Sequence, residues 1–239
     1  MNSSADSHGH HISRQFNSDL EEVRKHMLEM GGLVEKQLGD ALNALIEVDS
    51  GEAARVVQGD DQIDAMEVKI DEECNLIIAR RQPAARDLRL VLAIIKAIRD
   101  LERIGDESSK IAKAAIKVSE DGDFPEGIVE FRTLGVKVQR MVNMALDAFV
   151  RYDADAALRV VSEDSNVDTE YAIAMRSTVT YMMEEPSSIT RILHVLWALR
   201  AMERIGDHAK NICEHVVYMV AGTDIRHEKL SDIKHKLSG

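Results

Sequence analysis

A stripe of small and apolar residues at Ile94, Ala97, Leu101, Ile104, Ser108, Ile111, Ala115 and Val118 returns 101 residues later as Val195, Ala198, Met202, Ile205, Ala209, Ile212, Val216 and Met219. The steps alternate between three and four, the period at which side chains share one face of a helix. A face repeated at that distance constrains the chain more than any other feature, because each copy must bury the same stripe against the same kind of neighbour.

The rest of the chain supplies those neighbours. Leu20, Val23, Met27, Met30, Val34, Leu38, Ala41, Leu45 and Val48 mark a first helix, and Ile63, Met66, Ile70, Cys74 and Ile77 a second that stops before Pro83. The first stripe then lies on a third helix, from about Ala84 to Val118, and two further helical patterns over 126–151 and 154–183 precede its second copy. Gly122, Pro125 and Gly127 break the periodicity in "SEDGDFPEG" at 119–127 and mark the joint. The expected fold is all-α: two tandem three-helix bundles of six long antiparallel helices, over residues 16–120 and 124–222. With 45% hydrophobic residues, 4% aromatic and three prolines, the composition suits it. Residues 1–15 carry no apolar period and are expected to be a disordered tail, and residues 223–239 a flexible one.

Charge and cysteine usage exclude several classes. Acids outnumber bases 42 to 30, for a net charge of −12, and no Lys/Arg run could track a phosphate backbone, so no nucleic-acid partner is expected. Cys74 and Cys213 stand far apart, no basic-then-apolar leader opens the sequence, and no apolar run reaches the ~18 residues that cross a bilayer. A cytoplasmic protein with free thiols and no transmembrane segment is expected.

The stripes carry a pentapeptide, Glu-Arg-Ile-Gly-Asp, at 102–106 and again at 203–207. Residues four apart share a helix face, so Glu102 with Asp106, and Glu203 with Asp207, form adjacent carboxylate pairs that repel by about 0.2–0.5 kcal/mol unless a cation compensates. Gly105 and Gly206 cost about 1 kcal/mol each inside a helix, and the missing Cβ leaves room for an ion, a ligand or a close helix. Oxygen donors in this arrangement suit a hard metal such as Mg²⁺, Mn²⁺, Ca²⁺ or iron. Asp64, Glu67 and Asp71 on the second helix, and Asp164 and Asp168 on the fifth, are candidate additional ligands. The competing reading is structural: Arg99, Arg103, Arg200 and Arg204 neutralise the acids, and the glycines only let helices approach.

Other motifs carry less. The arginines of "RRQPAARDLR", 80–89, could hold an anion or be paired with acids. His208 points about 100° from Asp207, which leaves it as a possible second ligand. No Glu-x-x-His pair, phosphate-binding loop, dinucleotide fingerprint or nucleophile elbow appears. No catalytic residue is assigned.

"RQPAARDLR" at 81–89, "DLERIGDESSKIA" at 100–112 and "MERIGDHAKNICEHVVYMVAG" at 202–222, set in a duplicated six-helix frame, resemble the PhoU family of accessory regulators of bacterial phosphate uptake. The resemblance covers residues 16–222 and implies a cytoplasmic homodimer of two-bundle subunits. It further implies a non-enzymatic negative regulator that works with the ATPase of the phosphate ABC transporter and with the sensor histidine kinase of the phosphate-starvation response. It implies, finally, that the acidic motifs ligate multinuclear iron, or Mg or Mn, through Glu102, Asp106, Glu203 and Asp207. Two alternatives stand beside it: a metal-free helical adaptor and a carboxylate–metal enzyme. The second half has "EEPSSITRIL", 184–193, where the first has the arginine-rich stretch, so the bundles need not do the same work.

Overall fold

The computed structural model describes residues 4–122 and 129–225, with side chains from Gln15 onward. Six helices run in chain order: α1 Ser4–Ile46, α2 Ser50–Arg81, α3 Ala85–Asp121, α4 Val129–Arg151, α5 Ala154–Glu184 and α6 Ile189–Ala221. No strand occurs among the described residues, and no described helix is long and apolar enough to cross a membrane.

The repeat is visible in the turns as well as the helices. Asp49 caps α2 by accepting a hydrogen bond from the Glu52 amide at 2.9 Å, and Asp153 caps α5 from the Ala156 amide at 2.8 Å. The residue before each cap, Val48 and Tyr152, sits at φ 56° and 54°. A β-branched or bulky residue is strained there, so the same sharp reversal is enforced twice by its surroundings rather than by a glycine.

α1, α2 and α3 form one bundle and α4, α5 and α6 the other, and the bundles lie side by side. Their broadest contact is α3 against α6, with α1 against α4 beside it. Every apolar member of both stripes is buried, because the residues face α1 and α2, or α4 and α5, as well as the opposite stripe. All of α1's expected positions from Leu20 to Leu45 are buried too, whereas Val48, in the strained turn, is only partly covered.

Three boundaries differ from expectation. α1 begins at Ser4, so residues 4–15, expected as a disordered tail, continue the helix; one glycine and no proline lie among them to stop it. α3 continues to Asp121, past the expected start of the joint, and residues 123–128 lie outside the description. Ile225, expected in the flexible C-terminal tail, is 3% exposed and joins the core; the remainder of that tail, 226–239, lies outside the described residues.

Candidate functional site

Packing decides which acids meet. Gly105 lets α3 approach α1 and α2: a Cβ there would lie 3.2 Å from Ile63 Cδ1 and Gln37 Oε1, and 3.4 Å from Asp60 Oδ1. Gly206 does the same on α6, where a Cβ would lie 3.2 Å from Val167 Cγ1 of α5. The glycines therefore serve close helix approach, and that approach draws the acidic faces together.

In the first bundle, Glu102 and Asp106 of α3 face Asp60, Asp64 and Glu67 of α2. Burial, and then the charge of Asp106, Glu67 and Asp64, pushes the Glu102 carboxyl above its ordinary value, against the pull of Arg103. Asp64 is raised in the same way, by desolvation first and then by Asp60, Asp106 and Asp61. Glu67 is raised by burial despite Arg99 and Arg103. Asp71, one turn further along α2, accepts from Asn75 Nδ2 at 3.0 Å and adds its charge to the repulsion on Glu67.

The second bundle repeats the arrangement with Glu203 and Asp207 of α6 facing Asp164 and Asp168 of α5. Burial raises Glu203, followed by repulsion from Asp207 and Asp168. Burial also raises Asp207, followed by repulsion from Asp164 and Asp168. Glu203 Oε2 is buried without a hydrogen-bond partner, although the other oxygen of the same carboxylate accepts from Arg200.

Cations already touch both clusters. Arg103 bridges Glu102 Oε2 at 3.2 Å and Asp106 Oδ2 at 2.9 Å, Arg200 pairs with Glu203 at 2.7 Å, and Lys210 with Asp164 at 2.6 Å. Among the described residues no three His, Cys, Asp or Glu side chains converge tightly enough to hold an ion as they stand. The donor set nevertheless fits a hard cation. It is all oxygen and partly desolvated, burial and then repulsion from neighbouring acids raise the Glu102 and Glu203 carboxyls, and one of its acceptors has no hydrogen-bond partner. Arg103 and Arg200 are each more than half exposed along the side chain, so both can swing away from their carboxylates into solvent.

Sequence reasoning missed Asp60. The 101-residue offset that relates α3 to α6 becomes 104 between α2 and α5, where Asp60 matches Asp164, Ile63 matches Val167 and Asp64 matches Asp168. Applying the second offset would have found it. It also missed the use of Asp100, whose Oδ1 accepts from His208 Nδ1 at 2.9 Å and Asn211 Nδ2 at 3.0 Å, while Oδ2 accepts from His215 Nε2 at 3.0 Å. Burial opposes ionisation of Asp100, but the three hydrogen bonds together outweigh it and hold the carboxyl below its ordinary value. His208, a possible metal ligand by sequence, instead ties α6 to α3. Two of the α2–α3 arginines are likewise structural: Arg81 pairs with Asp19 at 3.0 Å and Arg89 donates to the Met219 carbonyl at 3.4 Å.

Comparison with known proteins places this geometry. The family model described as the PhoU domain matches twice, over residues 27–115 and 131–216. A Pseudomonas aeruginosa protein named phosphate-specific transport system accessory protein PhoU homolog is 59% identical over 97% of this chain and 96% of its own length. The Escherichia coli K12 protein named phosphate-specific transport system accessory protein PhoU is 45% identical over 96% of this chain and 95% of its own. Among solved structures, PhoU from Pseudomonas aeruginosa superposes with a TM-score of 0.84 at 60% identity, covering 87% of this chain and all of that one. The phosphate transport system regulatory protein PhoU from Streptococcus pneumoniae superposes at 0.80 with 29% identity, covering 87% and 98%. The two domain matches fall one on each bundle, and the chain belongs to the PhoU family.

Proposed function

We propose that the chain is a cytoplasmic negative regulator of phosphate uptake and phosphate-starvation signalling, a non-catalytic adaptor between the ATPase of a phosphate ABC transporter and a sensor histidine kinase. The reading is supported by near full-length similarity to accessory proteins of phosphate transport. The observation that carries its metal-binding part is the acidic cluster built twice on that frame, with Glu102 and Glu203 carboxyls raised by burial and by neighbouring acids, and a Glu203 oxygen without a hydrogen-bond partner. Glu102, Asp106, Asp60, Asp64 and Glu67 would hold Mg, Mn or Fe in one bundle, and Glu203, Asp207, Asp164 and Asp168 in the other. A bound cation would cancel the repulsion among these groups and couple their occupancy to the stability of the α2–α3 and α5–α6 contacts.

A homodimer is part of the proposal, since the chain leaves Val129, Val136 and Met183 well exposed. A metal-free adaptor is the second reading, favoured by the Arg103 bridge across Glu102 and Asp106. The test is a strain lacking the chain, grown in high phosphate, with uptake and a starvation-gene reporter as readouts. Loss is expected to raise both, and unchanged uptake and reporter output overturn the regulatory role. Restoration of control by the variant Glu102→Gln, Asp106→Asn, Glu203→Gln, Asp207→Asn would overturn the metal requirement alone.

A further inference from the structure

The α3–α6 contact is built twice with the helices exchanged, and its two ends are filled differently. At one end Asp100 of α3 is packed by His208, Asn211 and His215 of α6, and Lys96 lies 5.0 Å over the Tyr218 ring. Stepping each residue to its copy, 101 positions away, puts Ala201 of α6 in place of Asp100, facing Glu107, Lys110 and Ala114 of α3, and Trp197 beside Lys117. The same residues line the groove found there.

Two alanines thus stand where the other end has an aspartate and a histidine. The space they leave is a groove of about 470 Å³. The cation–aromatic pair that closes the first end is open at the second, because Lys117 turns to Glu120 at 2.9 Å and Trp197 is left 63% exposed. The His194 ring stands edge-on to Trp197 at 5.1 Å and braces it. Leu193 and Ile189, exposed at intervals of four on α6, extend the apolar strip beyond the groove.

The rim is basic on an otherwise acidic molecule. Lys110, Lys113, Lys117, Arg200 and Arg204 surround the groove; Glu107, the one carboxylate among its described lining residues, is 2% exposed and shared by Lys110 and Arg204 at 2.9 Å each, while Lys117 and Arg200 pair with Glu120 and Glu203 at its edge and Lys113 points to solvent. An apolar hollow with an aromatic lip and a cationic border is complementary to a segment with apolar anchors flanked by acids. An anionic bilayer fits less well, since the groove is concave and the whole chain carries −12.

We infer that the α3–α6 groove around Trp197 docks an acidic amphipathic segment of a partner protein. This rests on the adaptor reading above and assigns it a surface. Trp197 is the chain's single tryptophan, so its emission reports on this site alone. The probe is an amphipathic helical peptide with leucines along one face and glutamates beside them, titrated into the full chain. A saturable blue shift is expected, with calorimetric affinity falling as salt rises. Affinity should fall by about tenfold or more in Trp197→Ala and in Lys113→Glu with Lys117→Glu. These positions are exposed, and circular dichroism checks that the variants stay helical. A peptide with lysine for glutamate should leave Trp197 emission unchanged. No binding of the acidic peptide, equal response to both peptides, or a shift seen only with anionic vesicles or only on self-association overturns the inference. The regulatory reading fails separately, through uptake and reporter output, neither of which involves the peptide.

Discussion

Replacing Asp100 with alanine should cost about 3 kcal/mol. The carboxylate is 12% accessible and accepts three hydrogen bonds, at 2.9, 3.0 and 3.0 Å, all from α6. A hydrogen bond to a charged group contributes about 1.5–3 kcal/mol, but the three share one acceptor, and water can recover part of the loss at His208 and Asn211. His215, with its side chain 10% accessible, keeps a buried donor with no acceptor, so the total settles near ~3 kcal/mol. For a chain of this size that lowers Tm by roughly 6–12 °C. Urea unfolding at neutral pH, followed by circular dichroism, gives the free energy. A cycle with His215→Ala should show that the second substitution costs about 1 kcal/mol less once Asp100 is gone. The Asp100 carboxyl is held below its ordinary value, so its contribution is fully present above the unfolded value near 3.8 and is lost as pH falls through the folded one. A loss below about 1 kcal/mol, or no coupling to His215, would refute the claim that Asp100 locks the two bundles together.

The acidic clusters predict the opposite pH behaviour. Glu102, Asp64, Glu203 and Asp207 have raised carboxyls, so in the presence of chelator their favourable contribution is present at low pH and lost as pH rises through the folded values. The chelated chain should gain stability as pH falls from neutral through the raised folded values, and the four-amide variant should gain less; equal slopes would contradict this. Gly105→Val should cost about 2 kcal/mol by overpacking, because its Cβ already lies 3.2 Å from Ile63 Cδ1 and Gln37 Oε1; a wild-type denaturation midpoint would argue against a close α3–α2 approach. Cys74, whose thiol burial pushes up to about 12, and Cys213, raised further still, are both fully buried. Neither should react with a thiol reagent until the chain unfolds, and rapid labelling of the native protein would contradict the packing around them.

The helices were legible because their periods are long and regular. Each stripe buries one face for eight positions, and no competing strand pattern interrupts it. The caps at Asp49 and Asp153 belong to residue types that favour helix starts, yet the turns before them place Val48 and Tyr152 at positive φ, which no propensity would suggest. The acids of the pentapeptides were legible from spacing, but the opposite wall was not. Asp60 escaped because the offset between copies changes from 101 to 104 where the connections between helices differ in length. Asp100, His208 and His215 escaped for another reason. They join helices more than a hundred residues apart in sequence, and side-by-side placement of the bundles, which creates that contact, leaves no trace in the periodicity of either.

The repeated carboxylate clusters are proposed as cation sites. The direct measurement is Mn²⁺ binding to the full chain, followed by the loss of the free-ion electron paramagnetic resonance signal, beside the variant Glu102→Gln, Asp106→Asn, Glu203→Gln, Asp207→Asn with its helicity verified. Saturable uptake by the parent, with Tm rising with metal, and none by the folded variant is the expected result. Equal uptake by both, or none by either, would contradict the claim and leave the pentapeptides as ion-pair and packing motifs.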